Sequence, residues 1–142
     1  MAKKILFPVD LEHTEVVGKA LKLALEEAER SNGKLYVMTV APGFGMPLVA
    51  SFFDDKTVKK AMKVIAAHLK KFVDENIPKE FHAKSIVTEG NPPEQILKQA
   101  KGNGVDLIVI SSHDTELDQV LLGSCSAKVV RHSKCSVLVV KN

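Results

Sequence analysis

Five short apolar runs, separated by longer stretches whose apolar residues recur every three or four positions, constrain the fold of this chain most. The runs are KILFPV (Lys4 to Val9), KLYVMTV (Lys34 to Val40), FHAKSIVTEG (Phe81 to Gly90), VDLIVIS (Val105 to Ser111) and CSVLVVK (Cys135 to Lys141). Each is strand length, and β-branched residues are common among them. From Glu15 to Arg30, Val17, Ala20, Leu21, Ala24 and Ala28 share one helical face. From Thr57 to Asn76, Val58, Ala61, Met62, Ile65, Leu69 and Phe72 do the same. PEQILKQAK, opening on Pro93, and a segment from about Ser124 to His132 read as two further helices. Asn32-Gly33 predicts a stop, with the glycine taking the left-handed cap conformation, and Pro78 blocks continuation of the second helix.

Strands alternating with helices of this length predict an α/β fold, a five-stranded parallel doubly wound sheet with helices on both faces. VDLIVIS is the most uniformly apolar run, as expected of a strand covered on both sides. A chain of 142 residues can build one proper core, so a single domain over residues 1–142 is expected.

Charge excludes one class of partner. Twenty Lys and Arg against 17 Asp and Glu leave a formal charge of +3, spread along helical patterns rather than clustered as a nucleic-acid footprint would be. The densest cluster, KTVKKAMK (Lys56 to Lys63), fits a solvated helix face, and His68 sits among lysines at helical spacing. No run approaches the ~18 apolar residues of a membrane span. The start, MAKKILFPVD, leads straight into a strand, so no signal peptide and a cytoplasmic location are expected. Cys125 and Cys135 lack CxxC spacing and are expected as free thiols, without a metal.

In a doubly wound sheet, ligands sit beyond the carboxyl ends of the strands where strand order reverses. The first strand ends at Asp10 and the fourth at Ser111. A carboxylate at Asp10 can accept from ribose hydroxyls or from nearby amides; the alternative is a cap for the next helix. Gly123-Ser124 opens the last helix, whose free amides and dipole favour an anion. Gly123 permits close approach, and Ser124 and Ser126 add hydroxyls. The segment from Ala41 to Asp55, APGFGMPLVASFFDD, is either a loop packed on the sheet edge or a partner, or a lid over a ligand.

Taken together, ILFPVD, the TV of the second strand, VTEGNPPEQIL and LIVISSH…LLGSCSAKVVRHSKCSVLVVK resemble the universal stress protein family over essentially the whole chain. The resemblance implies that Pro8, Val9 and Asp10 flank an adenosine and that the Val40 backbone bonds adenine. Ile110, Ser111, Ser112 and His113 would follow the ribose and first phosphate. Gly123, Ser124, Cys125 and Ser126 would hold the phosphates. His113 is either a phosphate contact or a structural residue.

ATP-binding members typically carry Gly-x2-Gly-x9-Gly-Ser here. This chain has Ser111 and Asp114 at the two glycine positions, is one residue shorter before Gly123, and keeps only Gly123-Ser124. Asp114, Glu116 and Asp118 would each oppose a phosphate at ~4 Å by about 4 kcal/mol in a medium of dielectric ~20, unless a cation such as Mg²⁺ intervened. A branch of the family with a similarly shortened loop still holds ATP. The expectation is therefore a stress-response protein with ATP or AMP as regulatory ligand, Mg²⁺ as its companion, and at most slow hydrolysis. The alternative is a nucleotide-independent member acting through protein contacts with a client the sequence does not name. A homodimer through the fifth strand is also implied. No GxxxxGK[ST], no GxSxG elbow and no receiver-type aspartate after the third strand (which ends Thr88-Glu89) supports an enzymatic or phospho-accepting reading.

Overall fold

The computed structural model describes residues 2–41, 55–112 and 123–141. In chain order these form β1 (Lys4–Pro8), α1 (Gly18–Ser31), β2 (Lys34–Ala41), α2 (Asp55–Asn76), β3 (Lys84–Glu89), α3 (Pro92–Gly102), β4 (Leu107–Ser112), α4 (Ser124–His132) and β5 (Ser136–Lys141). Two single 3₁₀ turns, Thr14–Val16 and Lys79–Phe81, precede α1 and β3. The strands make one parallel sheet in the order β3-β2-β1-β4-β5. The α/β doubly wound sheet expected from the alternation is the fold observed.

Burial follows position in the sheet. β1, β2 and β4, which lie inside, are buried almost continuously, while the edge strands β3 and β5 keep exposed positions. Ile5, Phe7, Val37 and Val109 pack with Ala20, Leu21 and Ala24 of α1 and Leu69 and Phe72 of α2. Leu6, Met38, Ile108 and Ile110 pack on the other face with Ile96 and Ala100 of α3 and Val129 of α4. Side chains alternate across each strand, so both clusters draw on the same three strands. Each fully buried large side chain contributes about 1.5–3 kcal/mol relative to exposure.

Several boundaries differ from the expected ones. α1 begins at Gly18 rather than Glu15, because Thr14–Val16 forms a tighter turn first. The left-handed cap is Asn32 (φ 51°), not Gly33. Gly33 serves close approach instead: its amide bonds the Ala28 carbonyl at 2.8 Å, and an added Cβ would run into the Lys3 carbonyl oxygen. β3 begins at Lys84 rather than Phe81, since His82 takes a left-handed conformation (φ 48°) before it. In α2 only Leu69 and Phe72 are buried, while Val58, Ala61, Met62 and Ile65 are half-buried. Asn91 caps α3 through the Glu94 amide, and Pro93 lies in the first turn as expected.

Candidate functional site

Strand order reverses between β1 and β4: β2 and β3 lie beyond one, β5 beyond the other. The carboxyl ends of these two strands therefore open the crevice where doubly wound sheets receive ligands. Pro8, Val9 and Asp10 stand at one side of it, Ile110, Ser111 and Ser112 at the other.

Val9 is buried, and its amide donates to the Met38 carbonyl at 2.8 Å, the last bond joining β1 and β2 among the described residues. Backbone groups of successive strand residues face opposite neighbours. The Met38 groups face β1, so those of Val40, two residues on, face the same way, past the end of β1. The Ala41 carbonyl faces β3, where it accepts from the Gly90 amide at 3.2 Å. Val40 thus presents an N–H donor and a C=O acceptor side by side to the gap where β1 turns away. That pair matches the donor and acceptor of adenine's pairing edge and opposes those of guanine.

Asp10 does not cap α1, whose N-cap is Val17 and which has no side-chain cap. Its Oδ1 accepts from the Glu12 amide at 3.0 Å, and its Oδ2 lies 2.9 Å from His13 Nδ1. The His13 imidazole is pushed above its ordinary pKa chiefly by this hydrogen bond, then by the Asp10 charge. Sequence reasoning passed over His13; the signal available was a histidine three residues after a strand-end aspartate.

The serines of β4 diverge. Ser111 turns to the α1 side and its hydroxyl donates to the Val16 carbonyl at 3.2 Å. Ser112 is fully buried, on the face shared with Ile110 and α4. Ile110 itself is core.

α4 is the helix that follows β4, and Val129 packs it on the sheet. Gly123 is its N-cap, with no side-chain cap bond and no acidic residue in the first turn. The first intrahelical bond is Ala127 N–H to the Gly123 carbonyl at 2.9 Å. The amides of Ser124, Cys125 and Ser126 precede that first bond and head the helix dipole. Ser124 is exposed and Ser126 buried. Burial pushes the Cys125 thiol up, against the nearby Lys128 charge, so it stays neutral beside these amides. Gly123 has φ −57° and ψ 155°, a conformation open to any residue, so what glycine contributes there is the absence of a side chain.

His113, Asp114, Glu116 and Asp118 lie outside the described residues, as do residues 42–54. A groove of about 860 Å³ between α1 and the Pro78–Lys84 connection lies at the opposite end of the sheet. Its rim mixes Lys22, Lys34 and Lys84 with Glu26, Glu29 and Glu80, which selects no sign of ligand charge.

Known proteins resemble the chain along its whole length. A sequence model described as "Universal stress protein family" matches residues 1–141. Universal stress protein MJ0577 of Methanocaldococcus jannaschii is 34% identical, with 99% of this chain and 96% of the relative covered. Its solved structure superposes with a TM-score of 0.74 at 32% identity, covering 100% of this chain and 97% of that one. A universal stress protein solved in complex with cAMP has a TM-score of 0.69 at 23% identity, covering 99% and 97%. One from Archaeoglobus fulgidus, in complex with dAMP, has a TM-score of 0.64 at 19% identity, covering 96% and 96%. The chain belongs to the universal stress protein family.

Proposed function

We propose that this chain is a cytoplasmic stress-response protein that binds ATP or AMP as a regulatory ligand, with little or no catalysis. The observation that supports the reading is the first turn of α4, the helix that follows β4, which holds no acidic residue and, among the described residues, no side-chain cap. By contrast α3 has its N-terminus capped by Asn91 and carries Glu94 in its first turn. The donor–acceptor pair of Val40 adds a reason for adenine, and the cAMP and dAMP bound by two structural neighbours agree with it. In this reading Gly123, Ser124, Cys125 and Ser126 take the phosphates and Asp10 accepts from the ribose. The backbone of Ile110 and Ser111 lines the sugar, with Ser112 and His113 following toward the phosphates. Pro8 and Val9 flank the base. Mg²⁺ would offset the carboxylates of Asp114, Glu116 and Asp118.

The departure from the glycine pattern at Ser111 and Asp114 favours a second reading, a member that acts through protein contacts without nucleotide. Thermal unfolding with ATP, AMP and GTP, each with Mg²⁺ and with chelator, separates the two. A ligand at 100 times its dissociation constant adds ~2.7 kcal/mol, so Mg-ATP is expected to raise the midpoint by several degrees and GTP to leave it unmoved. No shift with any adenine nucleotide at millimolar concentration leaves the second reading standing.

A further inference from the structure

We propose that the exposed face of α2 docks a single acidic segment of a partner protein, a helix on which Asp or Glu recurs at every third or fourth position. The sequence predicts the positive excess of the chain spread along helical patterns; the structure gathers it on one helix. Six lysines against Asp55, Asp74 and Glu75 give α2 an excess of three positive charges, equal to the formal +3 of the whole chain. From Lys56 to Val73 there is no Asp or Glu. Lys56, Lys60, Lys63 and Lys70 are related by helical spacing and share one face, with Lys59 and Lys71 flanking it. At 1.5 Å per residue the stripe is about 23 Å long. All six lysines are exposed. Of the six, only Lys71 has an acidic partner among the described residues, Glu75 at 3.9 Å.

Leu69 and Phe72 anchor α2 in the core, so the row of cations is held rigidly rather than on a loop. Like charges three and four positions apart repel, and an anionic partner relieves that repulsion. The kind of partner follows from the width of the stripe. α1 packs on the same face of the sheet, and its exposed side mixes Lys19, Lys22 and Arg30 with Glu26 and Glu29. The single-sign field is therefore one helix wide. A flat anionic bilayer, or a duplex spanning both helices, would bring Glu26 and Glu29 against like charge; one acidic helix laid along α2 would not. Val64, 49% exposed, and exposed Ala67 lie among the lysines. They offer apolar contact that side chains of a protein partner can cover and a phosphate backbone cannot. From Lys56 to Val73 there is also no Arg, Asn or Gln, the residues that grip phosphate at two points or read base edges. Exposed lysine–carboxylate pairs are individually weak, so docking needs several at once and is screened by salt.

Fluorescence anisotropy of a labelled helical peptide, with Glu at every third and fourth position, tests this. Wild type is expected to bind it saturably at about 50 mM salt and to lose at least tenfold in affinity by about 300 mM. Lys60→Glu with Lys63→Glu is expected to weaken binding at least tenfold at the lower salt, and Lys60→Gln with Lys63→Gln by a smaller factor. Lys98→Glu with Lys101→Glu makes the same charge change on exposed positions of α3 and is expected to stay within about twofold of wild type. Far-UV circular dichroism checks that these surface substitutions leave the fold intact. Equal losses in the α2 and α3 variants would overturn the proposal, because attraction would then follow net charge alone. No peptide binding by wild type at the lower salt would overturn it too, as would tighter binding of duplex DNA or of phosphatidylserine vesicles than of the peptide. The crevice plays no part in any arm, so none of these outcomes bears on the nucleotide reading.

Discussion

Glu27 ties the start of the chain to the middle of α1. Lys3 Nζ donates to its Oε1 at 3.0 Å, and Arg30 reaches both oxygens, at 2.7 and 2.6 Å. Arg30 first, then Lys3, holds this carboxylate below the usual glutamate range. A depressed carboxylate pKa gives stability that is present above the unfolded value of about 4.3 and is lost as pH falls through the folded one. Glu27→Gln is therefore expected to lower the denaturation midpoint at pH 7, with the deficit shrinking as pH falls through the folded value, read by urea titration across the acid range. Equal midpoints at pH 7 would mean that solvent screening cancels the pairing. Residue-level detail of this kind was the least legible in the sequence. Nothing near Ser111 predicts that its hydroxyl turns to Val16, which is 95 positions away. Asp10 was legible as a strand-end carboxylate, but its partners depend on how the Asp10–His13 turn closes.

At the scale of elements, periodicity carried most of the information. A period of two or of 3.6 fixes which face is apolar, and the strands and helices it predicted are present. It does not fix depth. Leu69 and Phe72 reach the core, while Val58 to Ile65 on the same stripe stay half-buried. Nor does it register 3₁₀ turns, which at Thr14–Val16 and Lys79–Phe81 come from local closure rather than from a hydrophobic pattern. The start of α4 was legible from Gly123-Ser124, because small residues before an apolar helical stretch leave amides accessible. Its backbone at φ −57° accepts valine without strain, so Gly123→Val is expected to fold with an unchanged melting temperature. The new side chain would occupy the space of phosphate oxygens, and calorimetry is expected to show at least tenfold weaker ATP binding. A folded variant with wild-type affinity would move the phosphates elsewhere.

Among the described residues the sheet has two edge strands, β3 and β5. β5 runs Ser-Val-Leu-Val-Val without proline, and Leu138 is 38% exposed. Such an edge invites strand pairing, and an antiparallel pair of β5 strands about a two-fold axis covers it in both copies. Val137 and Val139 are the residues we expect near that axis. Light scattering is expected to report a dimer for wild type and a monomer for Val139→Pro, since proline removes a backbone donor. A monomeric wild type at micromolar concentration rejects the pairing. No described helix is long and apolar enough to cross a membrane. The strand order has one more consequence, which concerns synthesis. β1 emerges first yet lies at the centre of the sheet, and Ile5 must wait for Leu107 before its second edge is covered. At ~5–20 residues per second, that edge of β1 stays uncovered on the ribosome for roughly 5–20 s. β1 to β3 can meanwhile pair as a half-sheet, with one hydrophobic margin awaiting β4. Chains stalled before Leu107 are accordingly expected to recruit chaperones or aggregate, and release is expected once β4 has docked.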